Sequence, residues 1–477
     1  MGQRKEQSKL SNLELTLQKE YIEKLRTQGS KTYNISTYGC QMNARDSETI
    51  SGILNQIGYK EVANREEADI VIFNTCCVRE NAENRLYGNL GTMKEIKRKR
   101  RDMKIILCGC MMQQDMVLAK IKESYNFVDI IFGTFNVHRL PQLLFTNIET
   151  NGQVIDIWQE HEEIIEDLPS RRVFSFKAGV NIMYGCNNFC SFCIVPHVRG
   201  RERSREMEDI LEEIRELVAD GVIEVMLLGQ NVNSYGKTLE NKTTQGAACE
   251  VNAPKASFAE LLREVNKIEG LKRIRFMSSH PKDLSDELIL AIKESSKVCK
   301  QFHLPVQSGS SRLLKEMHRG YDIEHYMEKV ESLKTAIPEI TLTTDLIIGF
   351  PGETEEDNEQ TIDLLKKARF ASVFTFIYSP RIGTEAATMK NHIPEDISKP
   401  RFQKVLDVVN LISEEVHREW VGKTLKVLVE GEGKNGILQG RTDGGLLVHF
   451  EGNSEIGTII NVKITANKTF YLIGEKI

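Results

Sequence analysis

No stretch of this 477-residue chain is apolar for long enough to cross a bilayer as a helix, which takes about 20 such residues. The first 31 residues are polar and charged and lack the apolar core of a secretory signal. An excess of positive charge is also missing: 63 Lys and Arg against 68 Asp and Glu leave a formal net charge of −5. No global basic field announces a nucleic acid, so any RNA contact must come from local patches. These absences argue against a membrane protein and a secreted one. Ten cysteines in an unsecreted chain then point to metal or redox chemistry rather than disulfides, and to a reducing, cytoplasmic setting. The remaining composition, 40% hydrophobic and 27% charged, is that of a globular protein, and the length suggests more than one domain.

One further absence is local. The stretch Met183-Tyr184-Gly185-Cys186-Asn187-Asn188-Phe189-Cys190-Ser191-Phe192-Cys193 holds three cysteines as Cys-x-x-x-Cys-x-x-Cys, with no fourth beside them. Three thiolates on one loop suit three irons of a [4Fe–4S] cluster. The iron without a thiolate keeps an open position that can bind a substrate or cofactor. A zinc site with His197 as fourth ligand is the alternative, and a group of unligated buried thiols is another. Cys186, Cys190 and Cys193 resemble the cluster motif of the radical S-adenosylmethionine (SAM) enzymes. That resemblance implies that the open iron binds the amine and carboxylate of SAM, which is then split to methionine and a 5′-deoxyadenosyl radical.

Residues 1–31 read as a charged leader, helical around Leu13 to Leu25, with no function assigned. Residues 32–150 alternate strands (Tyr33–Tyr38, Ala68–Thr75, Lys104–Leu107, Val128–Phe132) with helices (Ser47–Ile57, Arg79–Arg100), the pattern of a doubly wound parallel sheet. Cys40 follows the first strand, Cys76 ends the second and Cys110 ends the third. The carboxyl ends of parallel strands share one edge, where ligands bind, so three distant thiols meet there as a second open-iron triad. Cys77 and Cys108 read as packed thiols. The motifs Gly39-Cys40-Gln41-Met42-Asn43, Asn74-Thr75-Cys76 and Cys108-Gly109-Cys110-Met111 resemble the N-terminal domain of the methylthiotransferases. There the three cysteines hold an auxiliary [4Fe–4S] cluster involved in sulfur transfer. The basic run Lys94–Arg101 reads either as a phosphate grip or as a solvated helix end.

Residues 151–171 are polar and acidic and read as a linker. Residues 172–415 repeat strand then helix six times. The strands are Ala178–Met183, Ile223–Leu228, Arg273–Met277, Gln301–Leu304, Thr341–Ile348 and Ser372–Ile377. The helices include Glu206–Ala219, Phe258–Ile268, Leu284–Glu294, Glu324–Thr335, Glu355–Lys367 and Arg401–His417. Six such units resemble the partial (β/α)6 barrel of radical SAM enzymes, with the cysteine loop after the first strand, where barrel chemistry belongs. Later post-strand loops offer SAM contacts at Gly229, Gln230, Ser279, Gln307, Asp345 and Gly349. For Gly352-Glu353-Thr354 the alternative is a plain turn into a helix capped by Thr354. Behind the cysteine loop, Arg199, Arg201, Arg203 and Arg205 suit phosphates and guanine edges as RNA contacts. Their alternative is a surface loop paired with Glu202, Glu206 and Glu208. Arg381 faces substrate or SAM, or makes a salt bridge.

Residues 418–477 read as five short strands between glycine turns, a small β-barrel that resembles the RNA-binding TRAM domain. A barrel that only caps the catalytic domain is the alternative. The resemblance covers about residues 32–477 and implies an α/β methylthiotransferase of three domains: 32–150, 172–415 and 418–477. The Gly39–Asn43 and Gly200–Arg205 stretches resemble the branch that adds a methylthio group to C2 of N6-isopentenyladenosine, just 3′ of the tRNA anticodon. Two [4Fe–4S] clusters, SAM, a tRNA partner and an electron donor such as a flavodoxin or ferredoxin are implied, acting with a monomeric enzyme. Sister branches acting on threonylcarbamoyladenosine or a ribosomal-protein aspartate are alternatives, as is an RNA-binding iron–sulfur electron carrier.

Overall fold

The computed structural model describes residues 2–77, 80–159, 163–239, 256–433 and 436–477. Arg79, where the sequence starts a helix, and residues 160–162 of the expected linker lie outside them. The chain divides into two compact units. The first comprises Met1–Val173, Tyr184–Asn187 and Ile194–Arg203, the second Phe174–Met183, Asn188–Cys193 and Ser204–Ile477.

The first unit begins with α1 (Gly2–Arg26), followed by β1 (Thr32–Thr37), α2 (Gln41–Ile57), β2 (Lys60–Glu61), β3 (Ile70–Thr75), α3 (Glu80–Lys99), β4 (Lys104–Gly109), α4 (Asp115–Ser124), β5 (Ile130–Phe132), α5 (Leu140–Thr150) and β6 (Val154–Asp156). The strands form one parallel sheet in the order β2-β1-β3-β4-β5-β6. Every residue of β3 is buried, as expected of a central strand covered by helices on both faces. Two expectations change. The charged leader is a helix that belongs to the fold, because Ile22 and Leu25 are buried in the core formed by α2, α5 and the sheet. The expected linker opens with a strand, since Val154, Ile155 and Asp156 pair with β5.

The second unit opens with β7 (Lys177–Asn181); next in the chain come β8 (Met183–Tyr184), α6 (Val195–Arg199), which belongs to the first unit, β9 (Arg203–Ser204) and, back in the second unit, α7 (Met207–Ala219). Then follow β10 (Glu224–Leu228), α8 (Phe258–Lys267), β11 (Arg273–Phe276), α9 (Asp286–Glu294), β12 (Gln301–His303), α10 (Ser311–Glu316), α11 (Ile323–Ala336), β13 (Thr341–Ile348), α12 (Glu355–Ala368), β14 (Ser372–Ile377) and α13 (Glu395–Arg418). Six parallel strands form two sheets, β7-β10-β11 and β12-β13-β14, each strand returning through a helix. Ile274 and Val298 bridge the seam between them. The outer faces of the strands and the inner faces of the helices share one core that includes Val225, Leu342, Leu346, Ile348 and Val373. The opposite faces line the interior of the partial barrel. The helix starts follow local chemistry: Ser257 with Glu260, and Thr354 with Asp357, form reciprocal capping boxes.

The chain ends in a closed barrel of β15 (Thr424–Glu432), β16 (Leu438–Thr442), β17 (Leu447–Glu451), β18 (Ile459–Asn467) and β19 (Tyr471–Lys476), ordered β15-β16-β17-β19-β18. Its core is Val427, Val429, Val448, Phe450, Val462, Ile464 and Leu472. Two buried arginines at the amino end of β11 fasten it to the larger barrel. Arg273 donates to the carbonyls of Arg441 (2.8 Å) and Lys426 (3.0 Å), and Arg275 to that of Thr442 (2.7 Å). Glu224 balances this charge at 2.9 Å from Arg275. The small barrel therefore sits at the strand foot, leaving the carboxyl rim to the post-strand loops.

Candidate active site

In the first unit the sheet order reverses between β1 and β3, the switch point at which open α/β sheets bind ligands beyond their strand ends. Cys40 starts α2 directly behind β1, Cys76 follows β3 and Cys110 follows β4. Asn43 draws them together. Its Nδ2 donates to the carbonyls of Tyr38 (3.0 Å) and Thr75 (2.9 Å), which fixes the side chain. Its Oδ1 then accepts from the thiols of Cys40 (3.8 Å) and Cys110 (3.6 Å). Cys76 packs on Gly39, where a Cβ would stand 2.8 Å from the Cys76 sulfur; only glycine, here at φ 121°, admits that approach. Cys76 and Cys110 are buried, and Cys40 is exposed.

Cys108 is a buried strand residue, as expected, and burial raises its thiol well above the usual range. Cys77 is buried too, but it hydrogen-bonds Cys110. That bond, with help from the Arg199 charge, brings Cys110 down to about 6 despite burial. Three thiols with no carboxylate among them, one open to solvent, form a soft donor set that fits an iron–sulfur group.

Cys186 belongs to the first unit, where its N–H donates to Gly200 O at 3.1 Å. Cys190 and Cys193 belong to the second, where the Cys193 N–H closes a tight turn on Cys190 O at 2.9 Å. Ser191 anchors that turn to the end of α10: its N–H donates to Met317 O (3.2 Å) and its Oγ to Glu316 O (2.8 Å). Among the described residues no three His, Cys, Asp or Glu side chains converge on a single metal ion. A cluster instead takes one thiolate at each of several irons.

The rim loops of the second unit hold buried polar atoms without a protein hydrogen-bond partner among the described residues: Asn231 Oδ1, Asn233 Oδ1, Ser279 Oγ, His280 Nε2 and Tyr378 Oη. The loops after β10 and β11 meet, with Val232 N donating to Ser278 O at 3.1 Å. Burial first, then the charges of Arg319, Lys282 and Lys237, push His280 down to about 2, so its ring is neutral. Its Nδ1 accepts from Lys282 N at 3.3 Å, which leaves Nε2–H as a donor. Such a group of orphaned donors and acceptors is costly in an empty protein and fits a polar small molecule such as SAM.

Ser279 lies in this cluster. Gln307 has φ 76°, rare for a residue with a side chain, and exchanges backbone bonds with Asp345 and Ile347, both 2.9 Å. Asp345 points into the barrel, 3.4 Å from His303 Nε2. Gln230 is half-buried beside Gly229, where a Cβ would come 2.6 Å from the Met183 side chain. The Gly349 N–H donates to Glu353 Oε2 at 2.9 Å. Thr354 is the helix cap that the plain-turn alternative expected.

The arginines separate. Arg199 and Arg205 are buried, which overturns their reading as RNA contacts. Arg205 spends its charge on Glu213 (2.6 Å) and on Asn181 O (2.6 Å). Arg199 turns to Cys110 and Asp46. Arg203 lies over the rings of Phe135 (5.3 Å) and Tyr184 (5.8 Å), while Arg201 is exposed and Arg381 half-buried. The basic run is partly structural, since Lys97 pairs with Asp129 and Arg100 with Asp69.

Sequence reasoning missed Arg319, which is buried and donates to Cys190 Sγ at 3.3 Å. It also missed Phe374 and Phe376, 47% and 43% exposed although they stand in register with Asp345 and Ile347 on the inner barrel face. Two solvated phenylalanines inside a barrel mark an apolar subsite. The signal was strand alternation, hidden because β14 is apolar on both faces.

Comparison with known proteins gives three family matches. Residues 180–365 match the radical SAM superfamily, 32–133 an uncharacterized protein family, UPF0004, and 418–477 the TRAM domain. The tRNA-2-methylthio-N(6)-dimethylallyladenosine synthase of Lachnoclostridium phytofermentans is 54% identical over 93% of this chain and 95% of its own length. Those of Alkaliphilus oremlandii (52%) and Clostridioides difficile (51%) each align over 96% of both chains. Among solved structures, the radical SAM methyltransferase TsrM from Kitasatospora setae superposes with a TM-score of 0.52 at 16% identity, covering 75% of this chain and 74% of that one. That likeness concerns the fold. At half identity over nearly the whole length, with radical SAM and TRAM domains in place, this chain belongs to the tRNA-2-methylthio-N(6)-dimethylallyladenosine synthase family.

Proposed function

We propose that this protein is a radical SAM methylthiotransferase that adds a methylthio group to C2 of N6-dimethylallyl (isopentenyl) adenosine beside the tRNA anticodon. The observation that carries it is the pair of cysteine triads, one at the switch point of a doubly wound sheet and one on the first loop of a (β/α)6 barrel. Cys40, Cys76 and Cys110 would hold one [4Fe–4S] cluster, and Cys186, Cys190 and Cys193 the other. A cluster with SAM supplies a carbon-centred radical, the chemistry that a C–H bond without an acidic proton requires.

The chain's own residues bind and orient. Asn231, Asn233, Ser279 and His280 present donors and acceptors to the polar groups of SAM, with Gln230, Gln307 and Asp345 on the same rim. Phe374 and Phe376 offer stacking and apolar contact to a base turned out of its stack and to its five-carbon tail. A threonylcarbamoyl group, polar and anionic, would be poorly served by that wall. Arg201, Arg203 and Arg381 remain the arginines offered to the anticodon stem phosphates, and the TRAM barrel adds RNA affinity. We assign 32–150 to the auxiliary-cluster domain, 172–415 to the radical SAM domain and 418–477 to the TRAM domain, acting as a cytoplasmic monomer. A flavodoxin- or ferredoxin-type donor supplies the electron.

The test is anaerobic turnover of the reconstituted protein with SAM, a reductant and dimethylallylated tRNA, followed by nucleoside mass spectrometry. A methylthio mass gain on the dimethylallyladenosine is expected. 5′-Deoxyadenosine without that gain would overturn the acceptor, and a gain on threonylcarbamoyladenosine would move the chain to the sister branch.

A further inference from the structure

Arg199 ends α6, six residues after Cys193, yet its guanidinium lies among the thiols of the other triad. Ile194 and Val198 anchor its segment in the same core as Cys110 and Met111. Arg199 is 5% exposed, and its Nε and Nη2 donors are engaged. Nη2 donates to Asn43 Oδ1 (2.8 Å) and Asp46 Oδ2 (2.7 Å), and Nε to Cys110 Sγ (3.1 Å). Asn43 Oδ1 is the atom that also gathers the Cys40 and Cys110 thiols.

Burying a guanidinium costs several kcal/mol unless it is paired and bonded. Asp46 alone would satisfy a structural ion pair. The Nε arm, however, goes to sulfur, a weak acceptor as a neutral thiol and a far better one as a metal-bound thiolate. Asp46 accounts for the Nη2 arm, whereas an anionic group held by three thiolates accounts for the arm turned to sulfur.

We infer that Arg199 is a positioning residue of the auxiliary site: it orients the Cys110 sulfur and sets a fixed positive charge beside the iron–sulfur group held by Cys40, Cys76 and Cys110, raising that group's reduction potential. The inference rests on the proposed cluster at those cysteines. It also places the control of one site on the segment that directly follows the cysteines of the other.

The test uses the full-length chain with Cys186, Cys190 and Cys193 all changed to Ala, so that only the auxiliary site can be loaded. Iron per chain and the midpoint potential, followed by electron paramagnetic resonance, are measured in this parent and in Arg199→Gln, Arg199→Lys and Asp46→Asn. The expected result is a midpoint more negative than the parent's in Arg199→Gln, because loss of a nearby cation makes electron uptake harder. Arg199→Lys, which keeps the charge, should lie near the parent, and Asp46→Asn, which removes the opposing anion, should shift positive. A midpoint unchanged in Arg199→Gln overturns the inference. Where Arg199→Gln does not fold, an unchanged midpoint in Asp46→Asn does so. A parent that holds no iron instead overturns the cluster reading beneath it, so the two failures are told apart.

Discussion

Arg319 donates to Cys190 Sγ at 3.3 Å, and its remaining arms hold Pro305 O at 2.7 Å and Tyr321 Oη at 3.1 Å. One buried cation thus ties a cysteine of the barrel loop to the segment after β12. Arg319→Met removes all three bonds, taking the donor from Cys190 Sγ and leaving Pro305 O only the longer bond from Tyr321 Oη at 3.3 Å. We expect a loss of about 3 kcal/mol of stability, read from urea unfolding, and loss of 5′-deoxyadenosine formation. Stability within error of the parent would mean that these bonds are not made in solution.

The two thiols at the end of β3 should behave differently. Cys76→Ala and Cys110→Ala should both abolish the methylthio product while 5′-deoxyadenosine still forms. Cys77→Ala removes only a thiol that hydrogen-bonds Cys110 from within the core, so product should still accumulate. If Cys77→Ala abolishes product and Cys76→Ala does not, the ligand assignment is reversed.

On the proposed reading, Phe374 and Phe376 give the substrate site an apolar wall. Truncating Phe374 to Ala should forfeit about 1.5 kcal/mol of contact with the dimethylallyl tail, which is about tenfold in KM. The preference for dimethylallylated over unmodified tRNA should fall in proportion, measured by competition between the two. An unchanged preference would place the tail elsewhere.

Glu353 gives a pH signature. Burial raises its carboxyl to about 7, against the opposing pull of the Gly349 N–H and Arg401. Its folded pKa is above the unfolded one, so the folded protein binds the proton more tightly. Its contribution to stability is therefore fully present below the ordinary carboxylate range and is lost as pH rises through about 7. Glu353→Gln should flatten the fall of Tm between about pH 5 and about pH 7. An equally steep fall in the variant would assign it to other groups.

How much was legible follows from how local each signal is. The Cys186, Cys190 and Cys193 triad is written within eight residues, and its spacing states its chemistry. The Cys40, Cys76 and Cys110 triad is spread over seventy-one residues, but strand periodicity puts each cysteine behind a strand, and parallel strands share an edge. The six barrel strands and the five of the small barrel were legible for the same reason, as short apolar runs between turn signals. The leader helix was under-read because its few apolar positions gain meaning only against α5. Strand β6 is three residues long and becomes a strand through its pairing with β5.

By itself, then, the order of residues determined most of the barrel and sheet elements and the spacing on which the proposed chemistry of both triads rests, because periodicity and thiol spacing are properties of the chain. Tertiary structure alone decided which arginine does what. Arg199, Arg201, Arg203 and Arg205 alternate within seven residues and look equivalent in sequence. Folding buries Arg199 against Cys110 and Arg205 against Glu213, lays Arg203 over aromatic rings and leaves Arg201 in water. A charge takes its role from the partners that burial brings to it, and those partners come from distant parts of the chain.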